Sequence, residues 1–377
     1  HTWLADAYPK ATVVGTVILS AFTTKLAIYA LARTFAGEQS LIWIGAIMTV
    51  YPVFFAVVEN DLRKVLSFSL NNQLGFMVCA IGVGTPLALN GAAAHAFCHI
   101  MYKSLLFMSV GAVLYRTGTA KATELGGLFR TMPWTTVFCL VGAASISAFP
   151  LFSGFVSKSL TMSAVAGTGF VIPWLMLLFA SAGVLEHSGI KIPYFAFFGH
   201  DSGKRPKEAP FNMLVAMGLA AFICIAVGLP AFFPGFGFNW LYSILPYAND
   251  PYTVRYEPYT GDHILTQMQL LVLAVFAFAL LQRFGAYPPE KRGIIIDTDI
   301  IYRKAGYGLA VWAGKVWTKV GAGLTGVFGN VASRSFSRLE AAFSPRGTLA
   351  SGGLYNGMAI WTVVLLGLAL LVAFFIR

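Results

Sequence analysis

Apolar residues run through this chain in long blocks separated by short polar stretches. Nine blocks are long enough to cross a bilayer as helices, which takes about 20 residues: 12–31, 41–58, 65–83, 91–115, 133–155, 170–198, 213–233, 264–282 and 355–376. The blocks are continuous rather than alternating, which argues against a β-barrel, and lipid offers no partner to an open sheet edge. The pattern predicts an all-α polytopic membrane protein. Another stretch, 302–343, has a different rhythm. Trp312, Val316, Val320, Leu324, Val327 and Val331 recur near helical spacing beside Lys315, Lys319, Arg334 and Arg338, which predicts a basic amphipathic helix in the membrane interface. Its many glycines work against it. Gly321 to Gly326 fits GxGxxG, but no strand precedes it, so no dinucleotide site is read there.

Composition sharpens this picture. The chain is 57% hydrophobic and only 11% charged, against about 25% charged in a soluble domain. The net charge of +11 is spread among loops instead of one polar face, so nucleic acid is not an expected partner. With nine spans, the loops 59–64, 116–132, 199–212 and 283–354 share one side and hold 18 of the 26 Lys and Arg residues, whereas Arg33 and Arg255 lie opposite. The positive-inside rule puts the richer side, and the start of the first span, in the cytoplasm. Cys79, Cys98, Cys139 and Cys224 fall inside apolar blocks without a CxxC pair and read as small buried hydrophobes. The chain starts at His1 with no signal peptide ahead of it, so it is expected to begin inside a longer protein.

Ionisable residues within the spans are the candidate chemistry, because each costs about 2.5–3.5 kcal/mol at a helix centre. Lys25 is one. His95, His99 and Lys103 are spaced i, i+4, i+8, so they share one helix face about 6 Å apart per step. Histidine titrates near neutrality and a buried lysine can exchange its proton, which suits a proton path. Lys158 follows Pro150 and Gly154, where a helix would break and leave backbone groups for water or protein to satisfy. Alternatives stand beside each: snorkelling for Lys25, and a loop position for Lys158 if the span ends at Pro150. Glu186, His187 and Lys191 could bind a cation, relay a proton or form a structural ion pair. No metal site, cofactor site, nucleophilic triad or phosphate loop is read.

These same residues carry a resemblance. His1-Thr-Trp-Leu-Ala-Asp-Ala7 with the later Thr24-Lys25-Leu-Ala-Ile-Tyr29 resembles the HxWLPxA segment and lysine helix of the antiporter-like family. That family comprises Mrp-type sodium/proton antiporter subunits and the proton-pumping membrane subunits of respiratory complex I. Asp61 to Gly75 is similar to its DxKRxLAYSxxxQxG stretch, Ala94 to Phe107 to its HAxxKaLLF helix, and Phe149 to Lys158 to its FPxxxGFxxK broken helix. Gly189 to Gly199 tilts the likeness toward the D-type subunits of Mrp antiporters. The resemblance covers residues 1–200 and implies inverted five-helix repeats, each with a broken helix, along a charged axis. It makes Lys25 the lysine bridging the repeats, His95, His99 and Lys103 the lining of the second half-channel, and Lys158 its terminal lysine. Ala5 replaces the family's proline, Ala11 to Gly15 lacks its APTPVSA sequence, and the first repeat would precede His1.

The resemblance implies domains at 1–31 (end of the first repeat), 41–199 (second repeat), 200–282 (further spans), 283–354 (lateral helix) and 355–377 (final span). It implies a proton-translocating subunit, with H+ and Na+ as the ions, other membrane subunits as partners and the bacterial inner membrane as the location. A pump module of a redox-driven complex and a structural subunit with a degenerate channel are the alternatives. The loop charges make one direct prediction. Cysteines replacing Arg205 and Arg255 should label from opposite faces of the membrane, and equal labelling from outside would defeat the nine-span count.

Overall fold

A computed structural model describes residues 1–230, 235–249, 256–285, 287, 301–344 and 357–375. The chain divides into two compact units, His1–Asp297 and Thr298–Arg377. In the first, α1 (Leu4–Ala7) and a 3-10 turn (Tyr8–Lys10) precede α2 (Val13–Thr34), α3 (Ser40–Val58), α4 (Leu62–Val83) and α5 (Pro86–Thr117). Then come α6 (Pro133–Ile146), α7 (Ser153–Ala166) and α8 (Val171–Val184). The last continues through π-helical turns (Leu185–Ile190 and Tyr194–Phe198) that flank the single α-turn α9 (Lys191–Pro193). Helices α10 (Phe211–Ala226), α11 (Phe238–Ser243) and α12 (Gly261–Arg283) complete the unit.

Among the described residues, six helices are long and apolar enough to cross a membrane: α2, α3, α4, α5, Val171–Phe198 and α12. Pro133–Ile146, Phe211–Ala226 and Trp361–Val372 are shorter apolar helices. These nine account for the nine apolar blocks, and no strand is present among the described residues. Two boundaries differ from the sequence reading. The block 133–155 is not one span but two helices, and α10 stops at Ala226, with 231–233 outside the described residues. Arg255 also lies outside them.

Helix starts follow side-chain caps, which satisfy amides that have no intrahelical partner. Thr12 Oγ1 accepts from Gly15 N at 3.0 Å and Thr85 Oγ1 from Ala88 N at 3.2 Å. Asp61 Oδ1 accepts from Arg63 N at 2.8 Å and Lys64 N at 3.3 Å, so α4 begins earlier than its apolar block. Burial pushes the Asp61 carboxyl above its ordinary range, with those two amides acting against it. A distant carboxylate starts α6: Glu208 accepts from Trp134 N at 2.8 Å and from Thr135 Oγ1 at 2.6 Å.

Arg63 is therefore not the loop charge that the sequence suggested. It is 4% exposed and donates to the carbonyls of Pro9 (2.8 Å) and Ala11 (2.8 Å) and to the Thr16 hydroxyl. Charged hydrogen bonds of this kind contribute about 1.5–3 kcal/mol each, and here they fix the turn that leads into α2. Lys64 pairs with Glu59 at 3.2 Å.

Helix α4 runs through the middle of the unit, and its most apolar stretch is wholly buried. Its contact with α3 is made backbone to backbone. A Cβ on Gly45 would lie 2.3 Å from Cys79 N, one on Gly75 2.6 Å from Gly45 O, and one on Gly82 2.5 Å from Ile42 N. Small residues of this kind let membrane helices gain dispersion contact that lipid would otherwise supply.

The second unit holds a π-helical turn (Ile301–Gly306), α13 (Tyr307–Phe343) and α14 (Gly357–Phe375). The amphipathic stretch is thus one continuous 37-residue helix despite its glycines. Trp312, Val316 and Val320 are exposed along it.

Gly45→Ala should lower the stability of the purified protein by about 1–3 kcal/mol, the range for overpacking a close contact. Thermal unfolding in detergent would measure it, and an unchanged midpoint would refute the backbone contact between α3 and α4.

Candidate ion-translocation site

The helix that ends at Ile146 resumes at Ser153, and the interval is where the bundle opens its backbone. Ala148 (φ 58°) and Leu151 (φ 76°) adopt left-handed conformations, each unfavourable by about 1–3 kcal/mol for a residue with a side chain. Pro150 lies in this break, but Gly154 does not. Gly154 is the second residue of α7, and a Cβ there would come within 1.7 Å of Ser145 O. Its place is set by close approach, not by breaking the helix.

The break leaves carbonyls without helical partners, and side chains take them. Lys158 Nζ donates to Ile146 O at 3.2 Å and to Ser181 Oγ at 3.4 Å. Gln267 Nε2 of α12 donates to Ser147 O at 3.2 Å. The loop alternative for Lys158 fails on this geometry, since it lies inside α7 at 3% exposure.

On α5, His95, His99 and Lys103 are each fully buried. The two imidazole centroids are 6.3 Å apart. His95 Nδ1 shares a 3.2 Å hydrogen bond with Ser157 Oγ of α7. His95 Nε2, both His99 nitrogens and Lys103 Nζ have no hydrogen-bond partner in the structure. Phe76 stands between α5 and α7: its ring lies 5.9 Å from the His95 ring and 5.4 Å from Lys158 Nζ.

Lys25 is 9% exposed and donates to Ser20 O at 2.6 Å, so it is held inside the bundle and does not snorkel. It borders a cavity of about 300 Å³ between α2 and α5. His187 is also fully buried. Ring contacts join His95 to His99, and both His95 and Lys158 to Phe76, while Lys103 continues the same face of α5 and Lys25 stands on α2, which packs against α5.

Of the candidates beside His187, Lys191 has partners at the end of α3. Lys191 donates to the carbonyls of Ala56 (3.2 Å), Val57 (2.6 Å) and Glu59 (2.7 Å), which closes the C-terminus of α3 as helix-end cations do. Glu186 is half-buried in the π-helical turn.

Sequence reasoning missed the wall behind His99. Tyr102 OH donates to Gln73 Oε1 at 3.1 Å, Gln73 Nε2 to Asn72 Oδ1 at 2.7 Å, and Asn72 Nδ2 to Thr49 O at 2.5 Å. The Tyr102 and His99 rings meet edge to face at 5.3 Å. Ser188 bridges His187 Nδ1 at 2.9 Å and Ser69 Oγ at 2.8 Å. The signal was present: Ser69, Asn71, Asn72 and Gln73 cluster inside an apolar span.

Residues 1–186 match the family described as NADH:quinone oxidoreductase/Mrp antiporter, TM. That portion, just under half of the chain, is similar to the antiporter-like family of membrane subunits. The chain is 29% identical to hydrogenase-4 component B of Escherichia coli (strain K12) over 265 residues, covering 61% of this chain and 39% of that protein. It is equally 29% identical to a probable K(+)/H(+) antiporter subunit of Rhizobium meliloti (strain 1021), over 61% of this chain and 24% of that protein. The chain thus spans two-fifths or less of these relatives. Among solved structures, the Mrp complex from Dietzia sp. DQ12-45-1b is similar, with a TM-score of 0.56 at 25% identity, covering 60% of this chain and 52% of the matched chain. The buried cations Lys25, Lys103, Lys158 and Lys191 lie within or just beside the matched segment.

Lys191→Met should lower stability by about 2–3 kcal/mol, since it leaves buried carbonyls unpaired. Transport per assembled complex should survive. Intact stability with lost transport would instead make Lys191 a relay.

Proposed function

We propose that this chain is part of a proton-translocating, antiporter-like subunit in a multisubunit complex of the bacterial inner membrane. Protons would move among Lys25, His99, Lys103, His95 and Lys158. The observation that carries this reading is the single buried row on α5, with four side-chain nitrogens unpaired beside the lysine held at the helix break. Burying such groups without partners is unfavourable by several kcal/mol, and a scaffold has no use for three of them on one face. Lysine can give up a proton and histidine can pass one on, whereas neither needs a cofactor to do so.

Mrp-type exchange of a cation for protons is the preferred coupling, with Na+ as the leading ion. The likeness to the Mrp complex and to an antiporter subunit supports it. A pump module driven by a redox enzyme is the second reading, favoured by the identity with hydrogenase-4 component B. In either case α13 would contact neighbouring subunits.

Lys103→Met should slow proton movement about 100-fold or more at normal assembly, the scale expected for loss of a transfer group. Lys103→Arg should fail as well, because its guanidinium keeps its proton. Internal pH would be followed in vesicles holding the whole complex, driven by an imposed Na+ gradient or by a reductant. Response to the gradient alone favours exchange, and response to the reductant alone favours the pump. Wild-type rates in both Lys103→Met and Lys158→Met would leave only the structural reading.

A further inference from the structure

Lys158 is buried, yet its amine is not sealed in. A cavity of about 200 Å³ lies against it between α7, α8 and α12, and the first turn of α12 brings Asp262 and His263 to the same cavity. A water in the liquid takes about 30 Å³, so this space holds several. Asp262 is exposed and His263 half-buried, which puts them at the mouth and Lys158 at the floor. Neither residue belongs to the row on α5 or to the matched segment 1–186.

Their position is held from several directions. Thr260 Oγ1 caps α12 by accepting from His263 N at 3.3 Å. Gln267 ties the next turn to Ser147 O in the helix break, 3.2 Å away. The His263 ring lies 5.6 Å from that of Tyr256. The Tyr256 hydroxyl reaches His263 Nδ1 at 3.5 Å and shares a 3.2 Å hydrogen bond with Ser163 Oγ on α7. The break that supplies a carbonyl to Lys158 therefore also fixes the start of α12 against it. Around the cavity, α7 contributes Lys158 as its ionisable group, α12 contributes Asp262 and His263, and α8 contributes Trp174 and Ser181.

We infer that Asp262 and His263 form the proton-exchange station that joins Lys158 to the aqueous face. The inference rests on the proton-path reading of Lys158. An N–H bond of the Lys158 ammonium breaks, and the proton passes through water in the cavity to the His263 imidazole or the Asp262 carboxylate. The lysine is left as a neutral amine, and the station releases the proton to bulk water; uptake is the reverse. An imidazole carries both a donor and an acceptor nitrogen, and a carboxyl group can accept a proton and donate it onward. A plain helix-capping role for Asp262 would use the dipole alone and would need neither the imidazole nor the shared cavity.

The test uses the whole complex in vesicles, with proton flux followed on the side that the cavity faces. The double variant Asp262→Asn, His263→Gln should assemble normally and lose flux about tenfold or more. Millimolar imidazole, a diffusible proton carrier, added on that side should restore it. Lys158→Met should be inactive with or without imidazole. Wild-type flux in the double variant, or a loss that imidazole does not repair, would overturn the station while leaving the proton path intact. Normal flux in Lys158→Met would instead overturn the underlying reading.

Discussion

A cation inside an apolar bundle must find polar atoms that lipid cannot provide, and in this protein the backbone provides them to four buried cations and not to Lys103. Lys158 takes Ile146 O, released where α6 stops; Lys191 takes the last carbonyls of α3; Lys25 takes Ser20 O; and Arg63 takes those of Pro9 and Ala11. Helix ends leave such carbonyls over, as at Ile146 and at the end of α3, whereas Ser20 lies within α2. Using them as partners has a chemical consequence. A carbonyl carries a dipole and no net charge, so a lysine held by one can lose its proton without abandoning a buried carboxylate. The helix break is thus the lysine's partner as well as a disturbance of the fold.

The bundle can carry these groups because α4 is held so closely. Glycines at 45, 75 and 82 bring its backbone against that of α3, and the polar run from Ser69 to Gln73 then faces protein instead of lipid. The chain of Tyr102, Gln73, Asn72 and Thr49 spends its donors in sequence across α5, α4 and α3. A buried network that satisfies its members in this way rigidifies its surroundings. The His99 ring meets that wall edge to face at Tyr102, and Lys103 Nζ lies over the Phe107 ring.

Phe76 divides the row. Its ring separates His95 from Lys158, and an aromatic ring offers a proton no site to rest on. Ser157 is the group that crosses this divide, bonded to His95 and adjacent to Lys158 in the chain. Cavities adjoin the row at Lys25 and again at Lys158. Between those cavities, His95, His99 and Lys103 are fully buried.

Hydropathy alone determined that the chain is a helical membrane protein, because burial in lipid demands long apolar blocks whatever their arrangement. The spacing of His95, His99 and Lys103 likewise fixed one face of one helix, since that is local geometry. Periodicity also marked α13 as a helix. The break at 147–152 was legible only in part: Pro150 announced it, but the left-handed Ala148 and Leu151 did not, because their conformations are imposed by the contacts around them. Arg63 and Lys191 looked like a loop charge and a relay candidate, and their carbonyl partners lie more than 50 and 130 residues away. The same holds for Gln73 behind His99 and for Asp262 and His263 beside Lys158. Local sequence sets which face a side chain occupies, whereas only the packing of distant helices decides what stands opposite it.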